Sequence, residues 1–473
     1  MSAEAIPAPG ADASASSFGA AESLIAHFEA IPFSPWHRHA RIVMGSATFL
    51  DAFDALSLAF VLPVLVKLWS LSPAEIGLLI GASYVGQLAG ALFFSRLADS
   101  FGRVPMAAIA TVIMSLMSLG CALVGNFALL LLCRLIQGIG IGGQMPVAAA
   151  YISELLRAQG RGRHFMLYEM IFPVGLMVTG QLGVILVPML GWRSLFLIGG
   201  IPGLIIGYLL LRLPESPRWL IGRGRLDEAE LVIREAHASA AAKYPGCLSA
   251  APPGTGSVSK RTGVEVSDPR GRWSELLSNI YRRRTLVVWV LWASAFFVAN
   301  SLNNWMPTLY HTIYKMPLGS ALRAASMTNV AQVAMLLICA FCIDRIGRRN
   351  WVAICFIAGA ALLAALAAGG TGTLWMVIML TTVSYGIIGS INAVLYLYTP
   401  EIYPTRMRAI GTGLATSWLR IASAVGPTVV GYLVGRQGIR SVFAMFAVVA
   451  ALGAWAAARM IETGGRKLEE ITS

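Results

Sequence analysis

The chain carries the same short motifs twice, in the same order and at a nearly constant spacing. Asp99-Ser-Phe-Gly-Arg103 returns 245 residues later as Asp344-Arg-Ile-Gly-Arg348, and Tyr151-Ile-Ser-Glu154 returns 247 later as Tyr398-Thr-Pro-Glu401. Gly191-Trp-Arg193 and Gly438-Ile-Arg440 keep the offset of 247, as do Pro214-Glu215-Ser216 and the weaker Ile461-Glu462-Thr463. A fixed offset over the whole length means two homologous halves in tandem, so the fold of one half must be the fold of the other. Each motif also begins or ends a long apolar run, which restricts the halves to a membrane architecture.

Twelve such runs are found, near 43–66, 76–97, 104–125, 127–150, 164–187, 192–213, 284–309, 320–343, 351–369, 373–399, 408–433 and 439–461. Crossing the hydrocarbon as a helix takes roughly 20 apolar residues. Only 12% of the chain is charged, against about 25% in a soluble domain, so the runs have no aqueous alternative. They are continuous rather than alternating, which excludes a barrel. The expected fold is an all-α membrane protein of twelve transmembrane helices in two pseudo-symmetric six-helix halves, residues 42–213 and 284–461. A segment 1–41, a linker 214–283 with short helices and a tail 462–473 are left for the cytoplasm. Residues 1–20 are rich in Ala, Ser, Gly and Pro and lack the basic-then-apolar order of a cleaved signal peptide, and 21–41 reads as a short interfacial helix ending at Pro32.

The net charge of +13 does not indicate nucleic acid, because the basic residues lie between the runs and mostly on one side. His37-Arg38-His39-Ala40-Arg41, Arg96, Arg103, Arg157, Arg161, Arg163, Arg282-Arg283-Arg284, Arg345, Arg348, Arg349, Arg406 and Arg408 share that side. The positive-inside rule makes it cytoplasmic, with both termini there. The six cysteines form no disulfide framework, and Cys339-x-x-Cys342, inside a helix without further ligands, is core filling. No gap holds an enzymatic domain, so no catalytic residue and no metal site is assigned.

Charges inside the bilayer cost about 2.5–3.5 kcal/mol each and are retained for a purpose. Asp51, Asp54, Arg134, Glu169 and Arg420 stand out. At 1.5 Å per residue Asp54 is about 16 Å deep and Arg134 about 19 Å from the same face, so they share a level near the midplane. A carboxyl beside a displaceable arginine can carry a proton; the bland reading is a static ion pair. Asp51, three residues before Asp54, either titrates too or forms the polar end of the same network. Glu169, about 8 Å in, is a substrate or gate residue, or the partner of an inner-face arginine. Arg420 has no acid in its own run, and its planar fork suits a carboxylate. Asn300, Asn303, Asn304, Asn329, Gln332, Asn392, Tyr396, Tyr398 and Trp418 cluster in the second half and as a set favour a ligand cavity. In Arg134-Leu-Ile-Gln137-Gly138-Ile-Gly140-Ile-Gly142-Gly143 the glycines serve close helix packing, since no strand precedes them to make a phosphate loop.

The two Asp-x-x-Gly-Arg signatures resemble those of the major facilitator superfamily. Arg134…Gly138-Ile-Gly140, Glu154…Arg161-Gly162-Arg163, Pro214-Glu215-Ser216-Pro217-Arg218 and Glu462-Thr-Gly-Gly-Arg466 are similar to the marks of its sugar-porter-related branch. Tyr398-Thr-Pro-Glu401-Ile-Tyr403-Pro404-Thr405-Arg406 and the Asp51/Asp54 pair resemble bacterial niacin and aromatic-acid carriers, organic-ion transporters and synaptic-vesicle glycoproteins. Two departures stand: Ser95 replaces the Gly that usually opens the first signature, and the fifth run reads Glu169-Met-Ile-Phe172-Pro173 where a sugar porter has glutamine, which argues against hexose.

The resemblance implies a carrier in a bacterial inner membrane, expected as a monomer, without cofactor, driven by the proton gradient. It is expected to import a small organic anion such as nicotinate or a benzoate with protons by alternating access. Its partners are that substrate, protons and the bilayer. Asp54, Asp51 and Arg134 are assigned to proton coupling. Arg420, Asn300, Asn304, Asn392, Tyr396, Trp418, Glu169 and Gln137 are assigned to substrate. The resemblance assigns Asp99, Arg103, Glu154, Arg163, Asp344, Arg348, Glu401 and Arg408 to a charge network that locks one state. A polyol or sugar symporter, an organic-cation exporter and a non-transporting nutrient sensor are the alternatives.

Overall fold

The structure is a computed structural model and describes residues 21, 23–155, 168, 170–244, 273–278, 281–369, 373–403 and 407–463. The first six long helices are α1 (Pro35–Trp69), α2 (Pro73–Phe101), α3 (Arg103–Leu123), α4 (Phe127–Leu155), α5 (Ile171–Leu190) and α6 (Arg193–Leu210). Two shorter helices follow, α7 (Pro217–Gly222) and α8 (Leu226–Lys243), with a 3-10 turn at Trp273–Leu277. The second set is α9 (Arg282–Thr312), α10 (Leu318–Ile346), α11 (Arg348–Gly369), α12 (Leu374–Glu401), α13 (Arg408–Gln437) and α14 (Ile439–Ala457). No strand occurs among the described residues.

Eleven of the twelve long helices are apolar and long enough to cross a membrane. The remaining one, α13, has 30 residues and therefore the length, but it carries Arg420 with Thr416, Ser417 and Ser423 along its middle. Its lower apolarity belongs to the site described below.

Local sequence explains the helix starts. Pro35 and Pro73 occupy first-turn positions, where a missing N–H costs nothing. Ser72 caps α2 reciprocally: its Oγ accepts from the Glu75 N–H at 3.3 Å and Glu75 Oε2 accepts from the Ser72 N–H at 2.8 Å. The Pro35 start corrects the sequence boundary, since α1 begins seven residues before residue 42. The interfacial helix expected to end at Pro32 ends at residue 30. It packs on α7 and α8, where Arg218 bridges Glu29 at 2.7 Å and the His27 and His237 rings meet edge to face; the first turn of α1 joins them, Ser239 Oγ accepting from the Trp36 N–H at 3.1 Å.

Helix partnership follows the repeat. Within the first half α2 packs on α4, α3 on α4 and α6, and α1 on α5; within the second, α10 packs on α12, α11 on α12 and α14, and α9 on α13. Between halves the pairs are α2 with α13, α10 with α5, and α1 with α9. Exchanging each helix for its repeat maps this set onto itself, which is a pseudo-twofold axis. The glycines of α4 serve packing as expected. A Cβ on Gly138 would fall 2.1 Å from the Ser83 carbonyl oxygen and one on Gly142 2.0 Å from that of Gln87, so α4 lies directly on the backbone of α2.

Candidate functional site

The two halves touch at the end of the bundle away from the signature motifs. There Thr428 Oγ1 donates to the Gly77 carbonyl at 3.3 Å, and Gly431 lies against the backbone of Pro73. Inward from this closed end is a cavity of about 510 Å³, reaching down to Met145, Ile343 and Leu397 near the signature end. Its wall comes from α1, α2, α4 and α5 and from their repeats α9, α10, α12 and α13, so the site lies on the pseudo-twofold axis. Size and largely apolar lining match a small-molecule site.

Of the residues assigned to substrate, Arg420, Asn300, Asn304, Asn392 and Tyr396 line the cavity. Arg420 Nη1 donates to its own helix at the Thr416 carbonyl, 3.1 Å away, while its Nε has no partner among the described residues. Asn300 Nδ2 donates to Ser423 Oγ at 2.6 Å. Asn304 Nδ2 reaches across the halves to the Tyr84 hydroxyl at 3.2 Å, and donates at 2.8 Å to the Asn300 carbonyl. Tyr396 packs edge to face on Trp292, and the Asn392 carbonyl oxygen has no partner. Trp418 is placed elsewhere: it packs on Trp289 and is not part of the cavity wall. Gln137 is buried inside the first half with Arg134. Glu169 lies outside the described residues. The sequence reading found Asn303 and Gln332 as members of the polar cluster but missed Tyr84 and Gln87 on α2 and Tyr385 on α12. A signal for Gln87 existed, because Gln87 and Gln332 are 245 residues apart, the offset of the signature.

Asp51, Asp54 and Arg134 are brought together behind the α1 wall, each wholly or almost wholly buried. The pairing differs from the expected ion pair. Arg134 Nη1 donates to the Asp54 backbone carbonyl at 3.1 Å and to Gln137 Oε1 at 2.6 Å. The Asp54 carboxyl turns the other way, towards α3 and α6, where Oδ1 lies 2.8 Å from Ser118 Oγ. Gly199 of α6 makes the room, for a Cβ there would sit 2.3 Å from Asp54 Oδ1. Ser118 Oγ also lies 2.9 Å from the Phe196 carbonyl. Asp54 Oδ2 and both Asp51 carboxyl oxygens have no hydrogen-bond partner among the described residues.

The signature motifs build two copies of one arrangement. Arg103 bridges Asp99 at 2.6 Å and Glu154 at 3.2 Å; Arg348 bridges Asp344 at 2.9 Å and Glu401 at 3.8 Å. Arg163 lies outside the described residues, as does the side chain of Arg408. A component not assigned from sequence completes each copy. Glu215 Oε2 accepts from the Val104 N–H at 3.2 Å, and Glu462 accepts from the Arg348 and Arg349 N–H groups at 2.9 and 3.1 Å, so each glutamate caps the N-terminus of the third helix of its half. Gly102 and Gly347 precede those helices at φ +112° and +87°, and a Cβ on either would strike the capping carboxylate. Burial pushes the Glu215 carboxyl up from the usual glutamate range, and the N–H groups it accepts from pull it back. Tyr151 Oη donates to the Pro214 carbonyl at 2.8 Å, and Tyr398 Oη accepts from the Ile461 N–H at 3.1 Å, tying both caps to the Tyr-x-x-Glu motifs.

Comparison with known proteins agrees with this architecture. The family model described as "Sugar (and other) transporter" matches residues 42–473. The niacin transporter NiaP of Acinetobacter baylyi is 32% identical over 95% of this chain and 99% of its own length. The synaptic vesicle 2-related protein of Bos taurus is 24% identical over 93% of this chain and 81% of its own. A structure of the xylose transporter XylE from E. coli, in a partially occluded inward-open conformation, superposes with a TM-score of 0.70 at 18% identity, over 92% of this chain and all of that one. The chain is therefore a multi-pass membrane transporter, not an enzyme, and belongs to the sugar (and other) transporter family of the major facilitator superfamily.

Proposed function

We propose that this transporter moves a small organic anion, an aromatic or heterocyclic monocarboxylate, together with protons across a bacterial inner membrane. The observation that carries the reading is Arg420. Among the described residues lining the cavity it is the one charged side chain, and no carboxylate among the described residues pairs with it. A guanidinium held in apolar surroundings costs several kcal/mol unless compensated, and an entering carboxylate supplies the compensation in fork geometry. The likeness to a niacin transporter across nearly the full length of both chains supports the same class. An organic cation has no counter-ion among the described lining residues.

Proton coupling is assigned to Asp54, with Asp51 behind it. Hydrogen-bond accounting supports it. Ser118 has one hydroxyl proton and two oxygen neighbours, Asp54 Oδ1 and the Phe196 carbonyl. Both contacts are satisfied together only when Asp54 carries a proton, which it donates to Ser118 while Ser118 donates onward to Phe196. Asp54 directly precedes Ala55 and Leu56, which line the cavity, so α1 links the two sites. Alternating access then requires the closed end to open by parting α2 from α13 and α5 from α10. The paired arginine networks at the opposite end, each within one half and formed in this conformation, are assigned to the alternative state by the family resemblance. Uptake of radiolabelled nicotinate or benzoate into proteoliposomes tests the reading. An imposed inward proton gradient drives accumulation and a protonophore abolishes it. Accumulation indifferent to the protonophore refutes symport, and failure of both carboxylates to compete for uptake refutes the substrate class.

A further inference from the structure

We propose that Gln332 reads a hydrogen-bond acceptor on the ring of the transported carboxylate, so that the protein selects a heteroaromatic acid with an unprotonated ring nitrogen over its carbocyclic analogue. The inference rests on the reading of Arg420 as the carboxylate anchor and adds a second, independent recognition point.

A hydrogen bond orients the Gln332 amide. Tyr385 donates to Gln332 Oε1 at 3.0 Å, so the carbonyl end of the amide faces Tyr385 and the –NH2 end is turned away. That end has no acceptor among the described residues, and it lies against Gly389, where a Cβ would come within 3.0 Å of Nε2. Gln332, Tyr385, Asn303 and Gly389 all line the cavity. Gln332 is thus an oriented donor with nothing to donate to until a ligand arrives.

The opposite side has the same polarity. Asn304 donates to the Tyr84 oxygen, which leaves the Tyr84 hydroxyl proton for the cavity. Arg420 is donor-only. The uncommitted donors of Gln332, Tyr84 and Arg420 suit a ligand that brings acceptors, a carboxylate plus a lone-pair ring nitrogen, although the Asn392 carbonyl oxygen remains an unpaired acceptor in the same wall. Benzoate satisfies Arg420 and leaves the Gln332 –NH2 facing an apolar ring edge. A site built to hydrogen-bond a ligand atom discriminates strongly against the analogue lacking it, because the site's own polar group is then left unpaired.

The test is a ratio of dissociation constants, benzoate over pyridine-3-carboxylate, measured by calorimetry on the purified full chain in nanodiscs. Wild type is expected to favour the pyridine acid at least about tenfold, or 1.4 kcal/mol. Gln332→Met keeps length and removes the donor, and should bring the ratio to about one. Tyr385→Phe releases the amide and should lower it too. A ratio of one in wild type overturns the proposal without any variant, as does a Gln332→Met protein that weakens both ligands equally and keeps the ratio. If Arg420→Lys weakens both acids while Gln332→Met leaves the ratio unchanged, the anchor stands and the Gln332 assignment falls. If wild type binds neither acid, both fall together.

Discussion

Replacing Arg420 with lysine preserves the charge and changes only its geometry, which makes it the sharpest probe of the site. The guanidinium presents five N–H donors in a plane. One is committed to the Thr416 carbonyl at 3.1 Å, and the Nε donor has no partner, so the group keeps donors free for a carboxylate while tied to its own helix. An ammonium provides a single point contact and cannot hold Thr416 and a bidentate ligand at once. The expected loss is one charge-assisted hydrogen bond of about 1.5–3 kcal/mol, or roughly ten- to hundredfold in affinity. Equilibrium binding of labelled carboxylate to Arg420→Lys and to wild type in nanodiscs measures it, and the neutral amide of the same ligand on wild type provides a control that needs no substitution. A lysine variant within about twofold of wild type, or an amide that binds as tightly as the acid, refutes the reasoning. Arg420 would then be the structural partner of a carboxylate such as Glu169.

Asp54→Asn should abolish accumulation driven by a pH gradient while leaving counterflow exchange in proteoliposomes; loss of exchange together with accumulation would mean that Asp54 serves ligand binding or folding. Asp99→Asn and Asp344→Asn each remove one exposed bridge, worth about 1 kcal/mol or less; each should shift the conformational ratio up to about fivefold towards the state open at the signature end, read by labelling of cysteines placed at the two mouths, with unchanged labelling in both limiting them to a folding role. Gly142→Ala drives a methyl group to within 2.0 Å of the Gln87 carbonyl oxygen; it should cost about 1–3 kcal/mol or more and lower the melting temperature, whereas Gly413→Ala, where nothing lies within 4 Å, should leave it unchanged, and equal melting of the two variants would show that α4 does not rest on α2 as described.

What the sequence could convey depended on whether position along a helix or rotation about it decided the outcome. The repeat offsets and apolar runs set helix number, order and pseudo-symmetry, because hydrophobic length is a one-dimensional property. Depth arithmetic put Asp54 and Arg134 on one level, and they do meet. It could not give rotation: the carboxyl faces Ser118 and Gly199, and the arginine takes only the backbone carbonyl. Rotation was available for Trp418. It is two residues from Arg420, and side chains two apart on a helix do not share a face, so Arg420 in the cavity wall turns Trp418 out to Trp289. Asn300 with Asn304, and Asn392 with Tyr396, are four apart and do share the cavity face. The two capping glutamates were visible as a repeated Pro-Glu-Ser and Ile-Glu-Thr, but their role as caps depends on loops returning to the start of α3 and α11, which no local pattern encodes.

The repeat also exposes how the two halves have divided the work. Positions related by the offset of 247 sit in equivalent places, yet Arg420 has Pro173 as its counterpart and Asn392 has Met145, all four in the cavity wall. The second half supplies the cation and the amide where the first supplies apolar surface. Behind the wall the inequality reverses: at the offset of 245 that relates Gln87 to Gln332 and Asp99 to Asp344, Asp54 of the first half corresponds to Ala299 of the second, so the buried carboxyl has no twin. An amphipathic anion in such a cavity has its carboxylate and its ring acceptor held by the second half and an apolar face laid against the first, and it bridges them when bound. The proton that we propose to be carried by Asp54, by contrast, belongs to the first half alone. In this reading the ligand reports to Asp54 through α1, whose Ala55 and Leu56 touch the cavity while the preceding residue holds the carboxyl. A rigid helix carrying both contacts transmits a rotation of one half directly to Ser118 and Phe196, and coupling then needs no moving parts beyond those that open and close the two ends.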